Sequence, residues 1–195
     1  RGADGSIAIT LDTLPYLIFF ANVALVSAGS TYYHWRPSND TLFWDRLPIT
    51  ISFMAISAAI VADRVHRNFG TRKLLPLLMT LGIATLLYWD WSEQAGRGDL
   101  RFYGLVQILP IVLIPVICRL FPTAPVTKGK YITWIIAWYA ISKLFELFDP
   151  GIYELLGGLV SGHSLKHLAA AMATAYVIPM VLQVRHSDFY KQADF

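Results

Sequence analysis

Runs of apolar residues, each about twenty residues long, constrain the fold of this chain more than any other feature. Hydrophobic residues make up 55% of its 195 residues and charged residues only 15%, against about a quarter in an ordinary soluble domain. A helix needs about twenty apolar residues to cross the hydrocarbon core of a bilayer. The pattern therefore predicts an all-α protein, a polytopic bundle of transmembrane helices.

Turn signals divide the chain into six such segments, which we expect to form one domain over residues 1–195. The densest signal is Pro-Ser-Asn-Asp at residues 37–40, and Asp40 or Thr41 is the expected N-cap of the second segment. Residues 152–156 are expected to form a short turn of helix at the membrane interface. The six expected helices cover about residues 10–35, 41–64, 74–91, 100–121, 131–148 and 163–183.

Basic residues are unevenly distributed between the two ends of these segments. Positively charged loops tend to stay in the cytoplasm, so we expect the N-terminal face and the C-terminus to be cytoplasmic. The net charge of +3 is weak and gives no indication of nucleic acid binding. The N-terminal face holds ten basic residues, Arg1, Arg64, Arg67, Arg72, Lys73, Arg119, Lys128, Lys130, Arg185 and Lys191, and the opposite face holds five, Arg36, Arg46, Arg97, Arg101 and Lys166.

Three histidines, one carboxylate and one hydroxyl are expected at a single membrane face. Ser30 and His34 are four residues apart at the end of the first segment, so they share a helix face. His163 and His167 have the same spacing at the start of the last segment, and Asp45 follows the turn after His34. Because the segments cross the membrane in alternating directions, all five residues are expected at the non-cytoplasmic face.

Three imidazoles in apolar sequence are typical of a zinc site, and catalytic zinc sites use three protein ligands and a water. The only cysteine, Cys118, excludes a site built from cysteines. Ser164 stands where the metalloprotease helix motif has Glu, so the general base must come from elsewhere, and Asp45 is the candidate. Ser30 is expected to hold the water or to donate to an oxyanion. A single His or Ser in such a helix is more often an interhelical hydrogen-bonding residue, but three histidines together argue against that alternative.

Other ionisable residues have less specific interpretations. Lys143 and Glu146, three residues apart in the fifth segment, are expected to form a structural ion pair, with contact to a lipid head group as the alternative. Asp90, between two tryptophans, is expected to be solvated in an interfacial aromatic belt. His66 and His186 are expected at the protein surface.

The pattern as a whole resembles the alkaline ceramidase family, and its bacterial members in particular. That family belongs to a superfamily of seven-helix membrane hydrolases that includes adiponectin-receptor-like and haemolysin III-like proteins. The resemblance covers most of the chain. It is carried by Gly-Ser-Thr-Tyr-Tyr-His at residues 29–34, Trp-Asp-Arg-Leu-Pro-Ile-Thr at 44–50, and by residues 98–101, 142–146 and 161–167.

The resemblance implies that His34, His163 and His167 bind Zn²⁺ and that Ser30 and Asp45 line the water held by the metal. It implies hydrolysis of the amide of ceramide, a membrane lipid, to a sphingoid base and a fatty acid. The alternative is a non-catalytic receptor or lipid-binding protein with a structural zinc. An open fourth position beside Asp45 favours the enzyme.

The chain departs from the family in two respects. The family has seven helices, so the missing one is expected before residue 10, and Arg1 in place of an initiator Met predicts a longer or processed chain. No cleavable signal peptide is recognisable. The eukaryotic members also carry an acidic, calcium-binding N-terminal segment, and nothing here matches it, so the resemblance does not extend to calcium.

Overall fold

The computed structural model describes residues 12–122 and 124–183, and all regular structure within these ranges is helical. This confirms the all-α prediction. Five helices of the described ranges are long and apolar enough to cross a membrane. The chain divides into two compact units, Arg1–Phe121 with four of these helices and Pro122–Phe195 with one. The prediction of a single domain stays a prediction.

The first unit is organised around its second helix. Its helices are α1 (Leu14–Trp35), α2 (Asn39–Arg64), α3 (Leu75–Gln94) and α4 (Arg101–Leu120), and α2 packs against the other three. Half of the apolar window of α2 is buried, against 11% of that of α1. Ala55, Ala58 and Ala59 are almost completely buried in α2. Small residues let helix backbones approach closely where lipid provides no hydrophobic driving force.

The turn between α1 and α2 ends at the N-cap residue Ser38, two or three residues earlier than expected. Ser38 has extended backbone geometry, and its hydroxyl accepts a hydrogen bond from the Thr41 amide, while the Thr41 hydroxyl accepts from the Ser38 amide. This reciprocal capping box satisfies two donors at the start of the helix. The expected N-cap at Asp40 or Thr41 is therefore wrong, because both residues already lie in the first turn.

The basic stretch after α2 is more helical than expected. A π-helical turn, Phe69–Leu74, contains Arg72 and Lys73 and continues into α3. Arg64 is the last residue of α2; it is buried and donates to the carbonyl of Phe121, beyond the end of α4, at 2.6 Å. A cation is favourable at this end of a helix, where carbonyl groups lack partners.

The turn between α3 and α4 is held together by Asp99. Gly96 and Gly98 have φ of 70° and 57°, which only glycine adopts without strain. The Asp99 carboxylate accepts hydrogen bonds from the Tyr88 hydroxyl at 3.0 Å, the Arg101 amide at 3.0 Å and the Arg101 guanidinium at 2.7 Å. These bonds, chiefly those from the Arg101 side chain, hold the pKa of Asp99 well below its usual range.

The second unit contains α5 (Gly129–Leu147), α6 (Asp149–Leu155), α7 (Gly162–Ala175) and α8 (Val177–Leu182). Helix α7 packs against α5 and α6, and the Trp134 and Tyr176 rings stack with centroids 5.9 Å apart. The last expected segment is divided at Tyr176, because Pro179 has no amide hydrogen to continue the helical bonding. The short helix expected near residues 152–156 is present as α6.

The fifth expected membrane segment differs from the other five. Helix α5 is 19 residues long but carries Lys130, Lys143 and Glu146, and it is not among the five helices apolar enough to cross a membrane. The coarse prediction of a polytopic α-helical membrane protein is supported by those five helices. A sixth crossing by α5 stays a prediction.

Candidate metal centre

Two of the three predicted ligands are brought together at the start of α7. His163 and His167 lie one helical turn apart, and their Nε2 atoms are 3.1 Å from each other. The ring centroids are 4.8 Å apart and the rings are inclined by 71°. Ser161 caps the helix by accepting a hydrogen bond from the Ser164 amide at 3.1 Å. The predicted i, i+4 arrangement is therefore present within the second unit.

The geometry of this pair fits two ligands of one metal ion. Zinc binds imidazole nitrogen at about 2.0–2.1 Å with tetrahedral angles, which puts two ligand nitrogens about 3.3 Å apart. The 3.1 Å separation in α7 lies close to that value. Without a metal, two nitrogens at this distance need one ring to donate Nε2–H to the other. A metal ion would take the place of that proton.

The backbone of His163 is held from α6 and α5. The His163 amide donates to the Asp149 carboxylate at 2.8 Å. A Cβ added at the preceding Gly162 would lie 2.7 Å from Asp149 Cα and would also meet the Phe145 carbonyl oxygen. Only glycine permits this approach. Asp149 and Gly162 therefore position the histidine pair, a role that sequence reasoning missed because it depends on which helices meet.

In the first unit, Ser30 and His34 occupy one face of α1, as predicted. Ser30 is buried and His34, next to the end of the helix, is exposed. Gly29 lies directly against α2, since a Cβ there would be 3.0 Å from the Trp44 carbonyl carbon and 3.2 Å from Asp45 Cα. This close contact brings the Ser30 end of α1 and Asp45 together. Gly29 was part of the resemblance, but its packing role could not be read from spacing alone.

Asp45 lies deeper in its helix than the sequence suggested. It is the seventh residue of α2, about 9 Å along the axis from the first. Its Oδ1 atom is buried and has no hydrogen-bond partner among the described residues. A buried acceptor atom left without a partner costs about 1–3 kcal/mol. This oxygen is therefore available to accept a hydrogen bond from a water or a ligand.

Arg46, beside Asp45, is held between two aromatic rings. Its guanidinium carbon lies 4.3 Å from the Trp89 ring centroid and 4.9 Å from that of Tyr103. Its Nη1 atom is buried without a hydrogen-bond partner in the described part of the chain. Trp89 is 2% exposed and packs inside the protein, whereas Trp91 is 54% exposed; the interfacial belt stays a prediction. Trp89 covers Arg46 and thereby ties α3 to α2.

The remaining predicted residues have different outcomes. Lys143 and Glu146 form the expected ion pair, with Nζ and Oε2 2.7 Å apart. Asp90 is partly exposed and accepts from Gln94 at 2.9 Å. His66 is exposed, as predicted. His186 lies outside the described residues.

Each unit assembles its own part of the predicted site. Ser30, His34 and Asp45 belong to the first unit, and His163 and His167 to the second. The joining of all five residues in one metal site stays a prediction. Comparisons of the chain with protein-family models, with curated proteins and with solved structures find no match.

Proposed function

We propose that this protein is a zinc-dependent intramembrane lipid amidase that hydrolyses ceramide or a related lipid amide. The products would be a sphingoid base or another amine and a fatty acid. The observation that carries the proposal is the convergence of the His163 and His167 Nε2 atoms to 3.1 Å at the start of a helical stretch apolar enough to cross a membrane. The resemblance of the sequence to the alkaline ceramidase family gives the substrate class.

His34 is proposed as the third ligand, from α1. Two histidines from one helix face and one from another helix supply the three protein ligands of a catalytic zinc site. Bound zinc supplies positive charge that makes water more acidic and polarises a carbonyl group. The chain's own contribution is to hold three imidazoles in place, and Gly29, Asp149 and Gly162 restrict the segments that carry them.

Asp45 is proposed to accept the proton of the attacking water. Its unpartnered, buried Oδ1 atom supports this role, since a general base needs a free acceptor atom within reach of the proton. After attack on the amide carbon, the same carboxyl group can return the proton to the leaving amine. Ser30, buried one turn before His34 on α1, would donate its hydroxyl hydrogen to the oxygen that becomes negative.

The apolar helices support a substrate that stays in the membrane. The candidate residues lie on three of the five helices that are long and apolar enough to cross a membrane. We propose that α5 also crosses, which places the site at the non-cytoplasmic face and the C-terminus in the cytoplasm of a bacterial cell. Asp45 then lies about 9 Å along α2 from the residue at which the helix starts.

A panel of lipid amides tests the proposal. Purified protein is incubated with ceramides of several chain lengths and with other N-acyl lipids, and products are identified by mass spectrometry with and without a chelator. We expect equal amounts of fatty acid and amine, loss of both on chelation and recovery with zinc. Asp45→Asn is the matched control, since it keeps the shape of the side chain and removes the proton acceptor. Zinc binding without hydrolysis of any amide would instead indicate a non-catalytic receptor or lipid-binding protein.

A further inference from the structure

A second charged cluster lies next to the histidine pair in the second unit. The Glu146 carboxylate is shared by two ammonium groups, with Lys143 Nζ 2.7 Å from Oε2 and Lys166 Nζ 2.9 Å from Oε1. Two positive charges and one negative charge leave a net charge of +1. The ion pair predicted for Lys143 and Glu146 is therefore one half of a larger group, which we call the lysine cluster.

The lysine cluster keeps donors that its own carboxylate does not use. Each ammonium group has three N–H donors, and each gives one to Glu146. The Lys143 ammonium also lies 5.7 Å from the Tyr139 ring centroid. The side chains of Lys143, Glu146 and Lys166 are 42%, 41% and 20% exposed, so a ligand can reach the cluster.

The residues around the lysine cluster are apolar and exposed. Leu144, Leu147 and Phe148 are each more than half exposed, and they adjoin Lys143 and Glu146 at the end of α5. A ligand that binds both the lysine cluster and these apolar side chains has an anionic head and an apolar chain. Lys166 lies three residues after His163, on the same side of α7, so such a head would sit about one helical turn from His163.

We propose that Lys143, Glu146 and Lys166 bind the oxyanion head group of an acyl-chain lipid. The head is either the carboxylate of a free fatty acid or the phosphate of an anionic lipid, since both accept several charge-assisted hydrogen bonds. The fatty acid as source rests on the proposed function, because hydrolysis of a lipid amide releases a carboxylate beside the histidines. The phosphate as source does not depend on it.

Glu146 has a specific part in this site. Its carboxylate occupies donors of both lysines and lowers the positive charge that an incoming anion meets. Replacing it by glutamine keeps the size of the side chain and raises the net charge of the cluster from +1 to +2. Glu146→Gln should therefore strengthen anion binding, whereas a purely structural ion pair predicts loss of stability and no gain in affinity.

The test measures binding and requires no turnover. Chelator-treated protein in bilayers of zwitterionic lipid is titrated with a fluorescent fatty acid, the alkyl phosphate of the same chain and the corresponding fatty alcohol. We expect the acid, the phosphate or both to bind at least about tenfold more tightly than the alcohol, as for a hydrogen bond to a charged group. Binding of only one of the two anions identifies the source.

Variants of the lysine cluster then test whether it causes the tighter binding of anions. Lys143→Met and Lys166→Met should each reduce anion affinity about tenfold, and Glu146→Gln should increase it. Lys130→Met is the control, since its ammonium lies near the Tyr131 ring at the other end of α5. If Lys166→Met fails to fold, Lys143→Met and Glu146→Gln decide.

Equal affinity for acid, phosphate and alcohol would overturn the proposal. So would unchanged anion binding in Lys143→Met, or weaker binding in folded Glu146→Gln. Failure of the amidase assay would leave these measurements unaffected, because metal and hydrolysis are absent from them. The two proposals can therefore fail separately.

Discussion

Gly29→Ala tests whether the contact between α1 and α2 positions the candidate catalytic residues. The added methyl would lie 3.0 Å from the Trp44 carbonyl carbon, closer still to its oxygen, and 3.2 Å from Asp45 Cα, while ordinary contact begins at 3.4 Å. The two backbones must therefore separate by at least about 0.4 Å. Backbone atoms cannot rotate away as a side chain can, and such overpacking costs about 1–3 kcal/mol.

The displacement affects the parts of α1 and α2 that carry Ser30 and Asp45. Misplacement of reacting groups by 1 Å can cost about 10²-fold in rate, so we expect Gly29→Ala to lower kcat about tenfold or more. Its free energy of unfolding should fall by about 1–3 kcal/mol. Zinc content should change less than activity, because the metal ligands themselves are retained.

Gly104→Ala is the matched control for this experiment. Gly104 is also a helical glycine, but a Cβ there would meet nothing within 4 Å. Alanine is favoured over glycine in helices by up to about 1 kcal/mol, so Gly104→Ala should keep full activity and wild-type or higher stability. Activity and thermal unfolding are measured for both variants in the same detergent. If Gly29→Ala matched Gly104→Ala in both, the proposed packing role would be refuted.

Four further variants test three separate parts of the structure. Asp45→Asn should retain zinc and lose about 10²–10⁴-fold in kcat, with a smaller loss for Ser30→Ala; near-normal turnover of the asparagine variant would move the base role elsewhere. Arg46→Lys keeps the charge and loses the planar stacking between two rings, so we expect lower thermal stability with zinc retained; unchanged unfolding would contradict a role of the stacked guanidinium in joining the helices. Folding lowers the pKa of Asp99 from its ordinary value of 3.8, so its carboxylate stabilises the folded state at pH values above 3.8. This stabilisation is lost as the pH falls from 3.8 toward the folded-state pKa. Asp99→Asn should therefore flatten the acid dependence of unfolding measured between pH 6 and pH 3, and a dependence identical to wild type would exclude this contribution.

Local sequence patterns were sufficient for the helices and for the pairing of residues on one helix. The apolar runs predicted α1 to α5 to within a few residues at most ends, but not the division of the last run into α7 and α8. The i, i+4 spacing predicted the histidine pair of α7. The N-cap of α2 was placed wrongly because two good capping candidates follow Ser38. Which candidate caps depends on backbone geometry at the turn, where Ser38 alone is extended.

Contacts between distant segments could not be predicted in the same way. The burial of Trp89 depends on Arg46 from another helix, and an interfacial belt is the ordinary interpretation of a tryptophan at the end of an apolar run. Lys166 was expected only as a basic residue at one face, yet it completes the lysine cluster with Glu146. Gly162 and Asp149 act through helix contacts that no spacing rule contains.

The zinc content of purified protein tests the central claim most directly, because the proposed site needs His34, His163 and His167 to bind one ion. We expect about one zinc per chain in the wild type, as for a site of three protein ligands, and its loss in His34→Ala and in the His163→Ala, His167→Ala double variant. Asp45→Asn should retain the metal. Stoichiometric zinc surviving in the double variant, or in His34→Ala, would contradict the proposed site.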